Sequence, residues 1–96
     1  MGIQYQIKFA HQSELELDAA IRELPYFVDF DPPSRLYNLW LEPDRAIPGE
    51  MPDAWVAIDS DGIYCCLNRS AESYPIRDAL VASAERFQTE VIVDEL

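Results

Sequence analysis

Ala54-Trp55-Val56-Ala57-Ile58-Asp59-Ser60-Asp61-Gly62-Ile63-Tyr64-Cys65-Cys66-Leu67 sets two apolar runs on either side of a short polar break. The runs are rich in β-branched and aromatic side chains, which fit a pleated surface. The Asp61-Gly62 end of the break supplies the positive φ that a tight connection needs. The stretch predicts a β-hairpin with arms at 54–58 and 63–67.

Toward the C-terminus, Ser70 or Ser73 can cap a helix, Pro75 suits its first turn, and Ile76, Leu80, Ala84 and Phe87 fall on one face. That helix is expected to end near Gln88, after which Val91, Ile92 and Val93 form a closing strand. Toward the N-terminus, residues 36–41 are apolar at nearly every position, with Leu36, Tyr37, Leu39 and Trp40 spread over both faces. Such a run predicts a strand covered on both sides. Tyr26, Val28 and Phe30 alternate with Phe27, Asp29 and Asp31 in a strand that Pro32 and Pro33 terminate. Ser13 and Glu16 make a capping box, followed by Leu17, Ala20, Ile21 and Leu24 at helical spacing until Pro25, so a helix is expected over 14–24. Ile3, Tyr5, Ile7 and Phe9 alternate with Gln4, Gln6 and Lys8, the pattern of a strand with one buried face. The prolines at 43, 48 and 52, with Gly49, exclude regular structure from the 42–53 segment.

The resulting order, βαββββαβ, predicts one α+β domain over residues 1–96. Its sheet is expected to be mixed but mostly antiparallel, of about six strands, with both helices packed on one face. The helix between the hairpin and the last strand reads as a crossover that places two strands parallel. In element order alone this resembles the ferredoxin-like α+β sandwich with an added hairpin, a likeness of layering that carries no functional residues with it.

Asp and Glu number 18 against 7 Lys and Arg, a formal charge of −11. An acidic surface without a Lys or Arg cluster repels phosphate backbones and anionic lipid, so direct nucleic-acid and membrane partners are not expected, and a basic protein is. Met1-Gly2-Ile3-Gln4-Tyr5 alternates too early for a signal peptide, Gln6 breaks the myristoylation pattern, and no apolar run approaches the ~20 residues of a membrane span. The expected compartment is the cytoplasm, and the composition suits a bacterial cytosolic protein. Cys65 and Cys66, adjacent in a strand, point to opposite faces, which favours packing thiols over a disulfide or shared metal.

No catalytic or metal site is expected. His11, the single histidine, reads as a polar loop residue near the Ser13 cap. Asp59, Asp61 and Gly62 suggest a calcium loop, but Ala57 and Asn68 stand where its other ligands belong, and a hairpin turn accounts for them. Asp29 and Asp31 suit a divalent metal or an acid–base pair, yet no third ligand or phosphate-cradling loop accompanies them, and the chain has only 3 glycines. What remains is a set of Tyr37, Trp40, Trp55 and Tyr64 on neighbouring strands beside the acids Glu42, Asp44, Glu50 and Asp53 of the proline-rich loop and Asp59 and Asp61 of the turn. Aromatic anchors within an acidic rim have the composition of a protein-binding face.

The expected function is therefore a non-enzymatic, cofactor-free acidic protein-binding domain: an immunity or inhibitor protein that occludes a basic toxin or nuclease. Trp40, Trp55 and Tyr64 would bury area, and Glu42, Asp44, Glu50, Asp53, Asp59 and Asp61 would steer association. The alternatives are a small-ligand or regulatory domain that dimerises through the aromatic face and, lowest, a metal-dependent enzyme using Asp29 and Asp31.

Overall fold

The computed structural model describes residues 2–10, 13–88 and 90–96; the expectation for His11 lies outside them. Six strands and two α-helices form in the expected order: β1 Ile3–Lys8, α1 Glu14–Arg22, β2 Phe27–Asp31, β3 Leu36–Leu39, β4 Ala54–Asp59, β5 Gly62–Leu67, α2 Tyr74–Glu85 and β6 Ile92–Glu95. They make one sheet, ordered β2-β3-β4-β5-β1-β6.

The hairpin forms, with Asp59 opposite Gly62 and Ala54 opposite Leu67. Gly62 carries the expected positive φ, 143°, but as the first residue of β5; Ser60 and Asp61 keep negative φ. The turn is closed by the Asp59 carboxylate, which accepts from the amides of Asp61 (3.0 Å) and Gly62 (2.9 Å).

The mixed sheet does not form, because every ladder is antiparallel. The reason lies in β1, which inserts between β5 and β6. The α2 crossover does return β6 in the direction of β5, as expected, but the two lie on either side of β1 and never pair.

The core occupies one face. Tyr5, Ile7, Tyr37, Leu39, Ala54, Val56, Ile63, Cys65 and Leu67 point there, against Leu17 and Ile21 of α1 and Ile76, Leu80 and Ala84 of α2. Each fully buried aliphatic side chain among these contributes about 1.5–3 kcal/mol of transfer free energy. Ser13 caps α1, accepting from the Glu16 amide at 3.3 Å. Ser73 stands at the N-cap of α2 without bonding to it; its buried hydroxyl instead donates to the Asp53 carbonyl at 3.1 Å. No helix among the described residues is long and apolar enough to cross a membrane.

Two expected phases shift. A bulge between Phe27 and Asp29 breaks the alternation of β2, so that Phe27 and Phe30 both pack against the core and Val28 and Asp29 both turn away from it. Tyr37 lies on the helix side, buried, with its hydroxyl donating to Asp18 Oδ1 at 2.5 Å. This bond, aided by Arg22, holds the Asp18 carboxyl below the usual carboxylate range against the opposing effect of burial. A depressed carboxyl contributes stability above its unfolded pKa of about 4, and that contribution is lost as pH falls through the folded value. Urea unfolding at pH 6 and pH 3 should accordingly show a smaller acid loss in Asp18→Asn than in the parent; equal losses would contradict the role given to this bond.

Candidate functional site

Both helices lie on one side, so the opposite sheet face carries none. The registers align two rows across it: Asp29, Asn38, Trp55, Cys66 and Gln4, then Ala57, Tyr64, Gln6 and Asp94. Trp55 and Tyr64 are half-buried on this face. The two cysteines divide as expected: both are free and buried, Cys65 toward the helices, Cys66 toward the open face. Burial pushes the Cys65 thiol up to about 12, so it is a packing group.

At the β2–β3–β4 end, the 46–52 segment folds beside the open face and forms with it a cavity of about 450 Å³ that is open to solvent. Val28 and Asp29 from β2, Asn38 and Trp40 from β3 and its end, and Trp55 from β4 line its sheet side; Ile47, Glu50 and Met51 line the other. The segment owes its shape to a tight turn. The Glu50 amide donates to the Ile47 carbonyl at 3.1 Å, with Pro48 and Gly49 between them and Gly49 at φ 86°. Proline followed by a positive-φ glycine is the signature of a type II turn.

Both ends of the 42–53 segment are fastened. At its start, where no regular structure is expected, a single 3₁₀ turn forms over Pro43–Arg45, with Arg45 paired to Glu42 at 2.9 Å. At its end Asp53 is buried: Oδ2 accepts from the Leu41 amide at 2.7 Å, Oδ1 meets Arg69 at 3.5 Å, and its carbonyl accepts from the Asn68 amide at 2.8 Å. Asn68 also donates to the Pro52 carbonyl at 2.9 Å.

The candidate residues thus separate. Trp40, Trp55 and Glu50 come together at the cavity. Glu42 and Asp44 are exposed at the start of the segment, Glu42 already paired. Asp53 is a buried tie, placed to hold the segment and not to meet a partner. Tyr64 shares the open face but does not line the cavity, and burial raises its phenol above the ordinary value. Asp59 lies at the far end of β4, roughly 14 Å along the strand from Trp55 at ~3.4 Å per residue, and Asp61 lies in the turn beyond it. Asp59 is committed to its turn and to Gln6, whose side-chain amide donates to it at 3.1 Å; Asp61 is exposed.

Of the cavity's β2–β3 side, sequence reasoning named Trp40 and missed Val28, Asp29 and Asn38. Asn38 Nδ2 donates to Asp29 Oδ1 at 2.6 Å across the ladder and fixes this carboxylate beside Trp40 and Trp55. Its signal, Asp29 opposite Asn38, depends on the bulge and could not be read from alternation alone. The sequence alone makes Asp29 and Asp31 a solvated strand face before a metal or acid–base pair; among the described residues no three His, Cys, Asp or Glu side chains converge as metal ligands.

The face is electrostatically one-sided. Among the described residues no Lys or Arg lines the cavity. Lys8, on the same face, is tied to Asp94 at 2.8 Å, and that bond raises its pKa. Apolar groups remain available at the rim, where Ile47 is 53% and Met51 61% exposed. Comparison of the chain with protein-family models, with curated proteins and with solved structures gave no match.

Proposed function

We propose that this is a non-enzymatic binding domain whose open sheet face docks a basic protein, in the manner of an immunity or inhibitor protein that covers the substrate cleft of a toxin such as a nuclease. One observation carries the reading: Trp40 and Trp55 line a cavity on the helix-free face, beside Asp29 and Glu50 and with no Lys or Arg among its described lining residues. Aromatic side chains in a concave site inside a charged rim are where binding energy concentrates at protein interfaces. Exposed Ile47 and Met51 add apolar area around it. Acids away from the cavity, Asp44 and Asp61 among them, contribute by steering a basic partner inward over longer range.

A second copy of the chain suits this face less well. Each copy carries −11, and apposed open faces would bring Asp29 and Glu50 against like charges. A monomer by light scattering is the expected result.

The test is affinity capture from the native host's lysate, comparing the parent with Trp40→Ala and Trp55→Ala. The parent should retain a basic protein, and each variant should bind that same protein about 30-fold more weakly, the loss of one interface hot spot. Circular dichroism would verify that the variants are folded. Equal retention by the folded variants would remove the aromatic cavity from the interface and the proposal with it.

A further inference from the structure

We infer that the cavity between the 46–52 segment and the open sheet face receives an arginine side chain of the partner, its guanidinium lying on the indoles of Trp40 and Trp55 and paired with Asp29. This rests on the protein-binding reading above and specifies the group that fills the site.

The chain's own aromatic clusters show the arrangement that the cavity lacks. On the helix side, the Arg22 guanidinium lies 5.4 Å from the ring centres of Phe27 and Phe30 and 5.9 Å from that of Tyr37, while Asp18 pairs with it at 3.0 Å. Beside α2, Arg77 lies 4.2 Å from the Tyr74 ring and 5.2 Å from the Tyr5 ring, paired with Asp78 at 3.1 Å. Each cluster has three parts: aromatic faces, a guanidinium across them, and a carboxylate that closes on the guanidinium. The cavity supplies the first and third, in Trp40, Trp55 and Asp29, and no cation among the described residues supplies the second.

Three further features fit a guanidinium. Indole is the ring that attracts a cation most strongly. Asp29 is oriented in advance, because Asn38 donates to Oδ1 and no other hydrogen bond among the described residues engages this carboxylate. The volume, about 450 Å³, lies within the ~300–1,000 Å³ of sites that enclose organic groups, so the arginine stem has room beside Met51. A guanidinium is favoured over an ammonium because it is flat and weakly hydrated, stacks on aromatic faces and offers a fork of donors to a carboxylate, whereas lysine retains a compact hydration shell.

The test needs no partner. In ¹⁵N-labelled protein the indole N–H groups of Trp40 and Trp55 give two resolvable signals, assigned with Trp40→Phe and Trp55→Phe. Titration with N-acetyl-arginine amide should move both signals saturably. N-acetyl-citrulline amide, neutral and nearly the same shape, should leave them unmoved, and N-acetyl-lysine amide should bind about tenfold more weakly, as loss of stacking and of the forked pair predicts. Asp29→Asn, which keeps an acceptor for Asn38 but removes the charge, should weaken arginine binding by about tenfold. The inference is overturned if arginine leaves the indole signals in place, if citrulline moves them equally, or if Asp29→Asn binds arginine as the parent does. Such a failure alongside Trp-dependent capture of a basic protein would sink the arginine and leave the interface standing. Failure of capture with the arginine result intact would do the reverse.

Discussion

Gly62→Ala is expected to destabilise the fold by about 3 kcal/mol or more, placing it among the exceptional single substitutions. The backbone of Gly62 has φ 143°, a conformation that a side chain rarely adopts. A Cβ there would also run into the Ile7 carbonyl oxygen and come within 3.0 Å of the Phe9 ring. Neither obstacle yields easily. Gly62 stands opposite Lys8 of β1 and Asp59 of β4 and donates to the Asp59 carboxylate, so a shift that relieves the clash opens two ladders at the centre of the sheet. The neighbouring Phe9 amide donates to the Asp61 carbonyl at 3.0 Å and would move with them. Gly49→Ala is the natural control: its φ of 86° is strained for alanine, but no atom lies within 4 Å of the added Cβ. That change should cost about 1–2 kcal/mol, the left-handed penalty alone. Urea unfolding followed by tryptophan fluorescence measures both. A Gly62→Ala loss no larger than that of Gly49→Ala would contradict the close approach of β1 to the turn.

Asp53→Ala should cost about 3 kcal/mol. Its carboxylate is buried, and it is the acceptor of the Leu41 amide just beyond the end of β3 and the partner of Arg69. Removing it leaves a part-buried donor unpaired, worth about 1–3 kcal/mol, and deprives Arg69 of one of its two carboxylates. The Asp53 carbonyl still accepts from Asn68 and Ser73, so the end of the segment loosens without detaching. Asp53→Asn retains an acceptor and should lose less. Amide hydrogen exchange gives a local reading: Leu41 should exchange faster in Asp53→Ala than in the parent. Unchanged Leu41 protection with a loss under about 1 kcal/mol would show that the tie is not needed.

Much of the fold was legible because its signals are local. The hairpin at Ala54–Leu67, the Ser13 cap, the Pro25 stop and the faces of α1 and α2 all follow from spacings within a few residues. The insertion of β1 between β5 and β6 was not, because it pairs residues more than fifty positions apart, as Lys8 with Gly62 and Ile3 with Leu67. Alternation reveals that a strand has two faces without revealing which one meets the helices; Tyr37 therefore read as part of the open aromatic set, though it packs beside Asp18 and Arg22. A bulge adds one residue and reverses the phase beyond it, which concealed that Val28 and Asp29 share a side. Of the acids in the proline-rich loop, composition treated all alike. Only the tertiary structure separates Glu50 at the cavity from Asp53, which is buried in bonds to Leu41 and Arg69.

That separation also determines which acids can be altered to probe binding without disturbing the fold. Asp53 and Asp59 hold backbone amides and are unsuitable, whereas Asp44, Glu50 and Asp61 are exposed and their carboxylates make no hydrogen bond or ion pair among the described residues, Asp61 acting on Lys8 only through its charge. The most direct measurement is the association rate of the captured basic protein with the parent and with Asp44→Lys, Glu50→Lys and Asp61→Lys combined, at about 0.01 M and 0.15 M salt, across which the Debye length falls from roughly 30 Å to 8 Å. An acidic face that steers a basic partner requires the combined variant to associate at least about tenfold more slowly at low salt, with the difference narrowing at high salt. An unchanged rate at low salt would contradict it.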